Sequence, residues 1–375
     1  MGADATGRAQ QGPDPTRLPL VLRRAAHAPC RAPLTTRRQH RRRIVISRKT
    51  FLAATLGGAL APLAHAQQGP IVIKLSHVVS PETAKGKAAL RFKELAEKNT
   101  GGRVKVEIFP NSTLYKDKEE MEALQLGAVQ MLIPAVAKFA PLGVTDFDAF
   151  DLPYLFPSLD SLHQVTQGPI GKQLLVKLES RGIEGLAFWD NSFAIFSAKK
   201  PLIKPEDMKG MKMRSYSKVI DAQYRALGAI PQTMAFAEMY TGLQSGVIDG
   251  QDTVPVNMSS QKLYEVQSNA ILTYHRHPVY ALITNKKFWD GLPPDIRKIL
   301  DAAVVEATQF NNAIAQKENA DAITAMKASG KIKLYEPSAT ELAAWKQALQ
   351  PVYKATESRV PQELVAAIRR EVGQK

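Results

Sequence analysis

The chain of 375 residues holds a single cysteine, Cys30. From residue 31 onward there is no thiol, which excludes a disulfide framework and a thiolate metal site in the body of the protein. Phosphate-cradling and nucleophile signatures are missing too. No Gly-x-Gly-x-x-Gly, Gly-x-x-x-x-Gly-Lys-Ser/Thr, His-Glu-x-x-His or Gly-x-Ser-x-Gly occurs. Their absence removes the common routes to dinucleotide binding, phosphoryl transfer, zinc hydrolysis and serine hydrolysis. No apolar run is long enough for a permanent membrane anchor. Even the formal charge of +15 is unevenly placed. Residues 1–66 hold twelve Lys/Arg and two Asp/Glu; the 309 residues that follow hold 38 and 33, a net of +5. The basic character is mainly that of a leader, and a nucleic-acid partner loses its support.

What is present begins with an export signal. Arg48-Lys49 precede an apolar run from Phe51 to Leu63, and Ala64-His-Ala66 puts small residues at the −3 and −1 positions. This predicts a signal peptide over 44–66, cleavage after Ala66 and a periplasmic mature protein. Residues 1–43 are Arg/Pro-rich without an apolar period and are expected to be a disordered or misassigned extension.

The body alternates two periods. Ile71–His77 reads as a strand. Thr83 is placed to cap a helix with Ala88, Phe92, Leu95 and Ala96 on one face, ended by Gly101-Gly102. Val104, Val106 and Ile108 alternate in a second strand stopped by Pro110. A helix from about Asp117 to Leu126, then Gly127 and the apolar run Ala128–Pro134, complete a β-α-β-α-β order and predict a mostly parallel sheet. Glu120–Gln130 and Glu238–Ile248 share a helix, glycine, strand cadence. That likeness implies either a second α/β half over about Asn191–Pro278 or shared helix-stop chemistry alone. Connections between the halves fall near Asp190–Ala198 and Tyr274–Asn285. Pro294–Ser329 keeps a 3.6 period, as one helix of roughly 50 Å lying along both halves or as two helices broken at Asn311-Asn312. Thr340–Gly373 predicts two further helices parted near Pro361.

One stretch carries chemistry. Met211–Tyr216 alternates as a strand, Gly210 suits a left-handed turn before it, and Ser217 suits the N-cap of a helix after it. Arg214 then sits near the carboxyl end of a strand, where open α/β sheets bind ligands. A guanidinium there grips a carboxylate bidentately. The bland reading is a surface arginine on a half-exposed strand. Asp146-Phe-Asp-Ala-Phe-Asp151 lacks the glycine of a calcium loop and reads as a solvated face beside buried Phe147 and Phe150. His275-Arg-His277 would set two imidazoles on one strand face, but with no third ligand nearby no metal site is expected. No cofactor is expected either.

These residues together resemble the substrate-binding proteins of TRAP transporters, the DctP-like family, over about 71–345. The resemblance rests on Leu75-Ser-His-Val-Val79, Phe109-Pro-Asn-Ser-Thr-Leu114, Leu124-Gln-Leu-Gly127, Leu152-Pro-Tyr-Leu-Phe156, Phe188-Trp-Asp-Asn191, Lys209-Gly-Met-Lys-Met-Arg214, Met234-Ala-Phe-Ala-Glu238, Leu243–Gln251 and Thr284-Asn-Lys-Lys-Phe-Trp289, in that order. It implies a two-domain α/β periplasmic binding protein with a hinge and a long helix spanning both domains. The domains would be 71–190 plus 280–318 and 191–279 plus 319–375. It implies a monomeric carrier, not an enzyme, that hands a small organic acid to membrane permease subunits. Arg214 stands where the family's arginine pairs with the ligand carboxylate, and Phe236 matches a pocket-wall aromatic. His77, Lys138, Trp189, Asn191, Thr253 and Asn257 fall in matching segments; for Trp189 the other reading is hinge packing, and for Lys138 a solvated helix face. Arg214 is expected to wait unpaired between the domains. Two departures bear on the ligand. Ala194 stands where many relatives carry Arg or Lys, and Asp252-Thr253 where they carry Glu-Asn. They set a monocarboxylate beside a C4-dicarboxylate as the expected ligand. The competing class, a secreted enzyme with His77, His275 or His277 as base, needs an activated nucleophile or a metal that the sequence does not offer.

Overall fold

The computed structural model describes residues 69–374. The leader, with its expected signal peptide and cleavage site, lies outside them. The strands are β1 (Ile71–Ser76), β2 (Val104–Phe109), β3 (Met131–Leu132), β4 (Ile183–Trp189), β5 (Ile195–Ala198), β6 (Lys212–Ser215), β7 (Ile230–Thr233), β8 (Gly250–Thr253), β9 (Asn269–Ile271), β10 (Tyr280–Asn285) and β11 (Lys333–Tyr335). Apolar alternation marks β1 and β2, whereas β5, β8 and β10 are buried along their whole length. They form two sheets, ordered β2-β1-β3-β10-β4 and β11-β9-β5-β8-β6-β7. Strands β1, β2 and β3 pair in parallel, as the β-α-β-α-β order predicts. β10 enters antiparallel between β3 and β4 where the chain returns from the second sheet. The same exchange puts β5 antiparallel between β8 and β9.

Local signals set the element ends. The Thr83 hydroxyl accepts the Gly86 amide at 3.2 Å and starts the helix Ala84–Asn99. Gly86 itself lets that helix approach the preceding loop, since a Cβ there would lie 2.5 Å from the Pro81 Cα. Met211 and Met213 point into the core while Lys212 is exposed, the alternation expected of β6. The helix expected from about Asp117 to Leu126 is shorter than predicted, Glu120–Gln125. Its polar entry, Lys116-Asp117-Lys118-Glu119, stays outside the helix, with Asp117 turned into the protein instead.

Residues Pro294–Ser329 form one unbroken helix of 36 residues, about 54 Å at 1.5 Å per residue. It packs on Ala84–Asn99 beside the first sheet and on Pro255–Ser260 beside the second. The asparagines that suggested a break fasten it to the first crossover. Asn311 Nδ2 donates to the Asp190 carbonyl at 3.1 Å, and Asn312 Oδ1 accepts the Asp190 amide at 3.1 Å. Asn319 Nδ2 donates to the Asn191 carbonyl at 3.0 Å while its Oδ1 accepts the Val256 amide at 3.0 Å. Backbone polar groups of an irregular segment are thereby satisfied by side chains of a regular one.

The tail differs from expectation. It forms three helices, Ala339–Leu349, Pro351–Ala355 and Gln362–Glu371, because Pro351 has no amide to continue the first. Trp345 is buried against Phe196 of β5 and donates to the Ile203 carbonyl at 3.0 Å. The last helix packs instead on Leu159–Gln167, and Arg359 pairs with Asp148 at 2.9 Å. The tail therefore touches both halves.

The acidic run is not a solvated face. Asp148 and Asp151 are buried and paired, with Arg359 and Arg276 respectively, and Asp146 meets Lys177. A short 3-10 helix over Thr145–Asp151 turns both carboxylates inward along with Phe147 and Phe150.

The buried imidazoles give an acid-sensitive term. Burial pushes His277 down to about 4 and His77 to about 3. Neither ring has a hydrogen-bond partner among the described residues. The unfolded chain takes up these protons near 6.5 while the folded one does not, so this contribution is whole above pH 6.5 and falls as pH drops toward 4. At about 1.4 kcal/mol per unit, His277 loses on the order of 3 kcal/mol across that window. Asp148, raised to about 6 mainly by burial, works in the opposite sense. The prediction is therefore differential. In urea unfolding at pH 7.0 and 4.5, His277→Gln should gain about 2–3 kcal/mol relative to the parent on acidification; a pH-independent difference would contradict it.

Candidate functional site

The two crossovers and the ends of β6 and β8 converge on one cavity between the sheets. Its wall comes from the first half through Val78, Asp117, Glu120 and Lys138, and from the second through Arg214, Phe236, Thr253 and Asn257. Arg276 and Tyr280, on the return crossover and the strand it enters, close one side. The free space is narrow, about 50 Å³.

Arg214 is delivered as its sequence predicts. Gly210 takes φ +75° before β6, and the Ser217 hydroxyl accepts the Ile220 amide at 3.2 Å to start the helix Lys218–Ala226. Arg214 is 3% exposed. Its Nε donates to the Met234 carbonyl at 3.0 Å, which fixes the plane of the guanidinium. That plane lies over the Tyr216 ring, 4.6 Å from its centroid. The terminal nitrogens make no hydrogen bond among the described residues, an arrangement that leaves the bidentate edge of the fork open. The expectation that Arg214 waits unpaired is not met: an internal carboxylate stands beside it. Asp117 Oδ2 lies 3.7 Å from its Nη2 and 2.8 Å from Lys138 Nζ. Burial favours the protonated form of Asp117, but Lys138 and Arg214 outweigh it and hold the carboxyl below its ordinary range.

Six of the eight residues singled out in the sequence stand on this wall: Arg214, Phe236, Lys138, Asn191, Thr253 and Asn257. Lys138, read alternatively as solvated, is nearly buried, its amine 5.4 Å from the Tyr216 centroid. Asn257 Nδ2 donates to the Tyr280 hydroxyl at 3.3 Å, and its Oδ1 is buried without a partner among the described residues. Trp189 and His77 are corrections. Trp189 is fully buried in the core of the first half and donates to Thr308 Oγ1 of the long helix at 2.9 Å, the hinge-packing role. His77 is wholly buried behind Val78 and Val79, which take its place on the wall.

Arg276 is the residue the sequence did not reveal. Its Nε and Nη2 approach Asp252 Oδ2 at 2.7 and 2.6 Å, and its Nη1 reaches Asp151 at 3.0 Å. His275 does not share a strand face with His277. It stacks on Phe196 and meets Asp252 Oδ2 at 3.2 Å. The Tyr224 hydroxyl donates to the other Asp252 oxygen at 3.0 Å. Burial disfavours the Asp252 anion, yet Arg276 and His275 hold it well below the usual range. Thus Asp252 answers a buried guanidinium, while Thr253 beside it lines the cavity. A cation does stand in the cavity despite Ala194, supplied by Arg276 from the second crossover.

The cavity sets two guanidiniums and an amine around one aromatic ring against the carboxylates of Asp117, Glu120 and Asp252, and the terminal nitrogens of Arg214, free of hydrogen bonds among the described residues, suit anion capture. Among the described residues, no group of three or more His, Cys, Asp or Glu is placed to hold a metal, and no helix is long and apolar enough to cross a membrane.

Comparison with known proteins places the chain in a family. The family model for bacterial extracellular solute-binding protein, family 7, matches residues 75–359. The C4-dicarboxylate-binding periplasmic protein DctP of Rhodobacter capsulatus is 54% identical over 325 residues, which are 86% of this chain and 98% of that protein. Among solved structures, a TRAP periplasmic solute-binding protein from Shewanella oneidensis with bound succinate superposes with TM-score 0.79 at 37% identity, over 81% of this chain and 100% of that one. Another, from Pseudomonas aeruginosa with bound L-malate, gives TM-score 0.74 at 40% identity, over 76% and 100%. The chain belongs to the TRAP periplasmic solute-binding proteins of family 7, a family of extracytoplasmic carriers and not of enzymes.

Proposed function

We propose that this protein captures a C4-dicarboxylate such as succinate or malate in the cavity between its two halves and delivers it to TRAP membrane permease subunits. The observation that carries the reading is Arg214, nearly buried, held by one backbone bond and with its terminal nitrogens open. One ligand carboxylate would take that edge. Lys138, Arg276, Asn191, Thr253 and Asn257 lie around the same space and suit a second polar end. Lys138, which shares only Asp117 with Arg214, adds a second cation to the site, and the dicarboxylates named for similar proteins support a dicarboxylate over a monocarboxylate. Low local dielectric strengthens the ion pairs once water leaves. The signal peptide would direct export and be cleaved after Ala66, and the mature carrier would act as a monomer.

A thermal-shift and calorimetric screen tests the substrate class. Succinate and L-malate should bind one per chain. At a hundredfold excess over the dissociation constant they should stabilise the fold by about 2.7 kcal/mol. Stabilisation by pyruvate or butyrate alone, or turnover of any of these acids, would contradict the proposal.

A further inference from the structure

Three cations and three carboxylates line the cavity: Lys138, Arg214 and Arg276 against Asp117, Glu120 and Asp252. They are not matched evenly. Arg276 is spanned by Asp252 and Asp151, so protein carboxylates already answer its charge. Lys138 and Arg214 share Asp117 alone, at 2.8 and 3.7 Å. The other oxygen of Asp117 accepts the Phe236 amide at 3.2 Å, and the side chain is nearly buried. Next to it Lys116 pairs with Glu238 at 2.8 Å. Residues 116–117 lead into the helix Glu120–Gln125 of the first half, and residues 234–238 belong to the second. A single carboxylate thus ties the two halves together at the guanidinium that would receive the ligand.

We propose that Asp117 is a specificity-determining residue, an internal carboxylate that competes with the incoming acid for Arg214 and Lys138. It lowers the charge of that pair toward the ligand from +2 to +1. This rests on the dicarboxylate reading above. A ligand carboxylate seated on the open edge of Arg214 stands close to Asp117, and like charges repel strongly where water is excluded. A dianion feels that repulsion through both of its charges, a monoanion through one. Removing the Asp117 charge should then tighten dicarboxylates more than monocarboxylates. An asparagine is nearly isosteric and keeps an oxygen for the Phe236 amide.

Calorimetry with succinate and butyrate on the parent protein, D117N and D117S tests this. Both variants should bind succinate at least tenfold more tightly than the parent, with a smaller gain for butyrate. Unchanged or weaker succinate binding by folded variants would overturn the proposal and make Asp117 a mere support for Lys138. Failure of both variants to fold would overturn it too, by assigning Asp117 to stability. Parent protein that binds no dicarboxylate would instead refute the functional reading on which it rests.

Discussion

Arg276→Ala should destabilise the fold by about 3–5 kcal/mol, the usual penalty for removing one partner of a buried ion pair. The reason is what remains. Asp252 and Asp151 are both buried, and without the guanidinium Asp252 keeps only His275 and Tyr224, and Asp151 keeps Ser217. The sign of the pH dependence separates this from simple loss of packing. Orphaned carboxyls have their folded pKa values raised, so the folded variant binds protons that its unfolded chain releases. Its deficit should therefore be full near neutral pH and shrink as pH falls toward the ordinary carboxylate range. Arg276→Lys keeps the charge but cannot span two carboxylates, and should fall between the two. Urea unfolding at pH 7.5 and 5.0 reads all three proteins. A deficit under 1 kcal/mol, or one that does not change with pH, would mean that Asp252 and Asp151 do not depend on Arg276.

Arg276 also shows where sequence reading stopped. Strand alternation, the Thr83 and Ser217 caps and the turn at Gly210 act over a few residues, so β1, β2, β6 and the entry to the Arg214 site were legible. Arg214 was legible for the same reason: its place at a strand end before a capped helix is a local fact. Arg276 sits in an irregular segment between two histidines that drew attention as metal ligands. Its partners lie 24 and 125 residues away, and only the tertiary fold brings them together. Asp148 and Asp151 misled for a related reason. An acidic run reads as solvated unless arginines far along the chain answer it, here the half-buried Arg359 and the buried Arg276. A usable signal was present, since aspartates interleaved with Phe147 and Phe150 on a tight turn must share the buried side. Asp117 was hidden in a charged loop, where nothing local distinguishes one inward carboxylate from its exposed neighbours. Trp189 was correctly placed at the crossover, but the structure turns its ring to the long helix.

The central claim concerns Arg214. Its loss should leave the fold nearly intact, because Asp117 retains Lys138 at 2.8 Å and the Phe236 amide at 3.2 Å. Binding should suffer instead. Truncating a buried, hydrogen-bonded partner of a ligand charge removes about 2–5 kcal/mol of affinity, about thirtyfold to several thousandfold. Lysine at this position restores a charge but not the fork, and should recover only part of the loss. The direct measurement is calorimetry of succinate binding to the parent and to Arg214→Ala at matched pH and ionic strength. The account predicts a dissociation constant at least thirtyfold weaker with an unchanged melting temperature. Binding within threefold of the parent, by a variant that melts normally, would show that the carboxylate is held elsewhere.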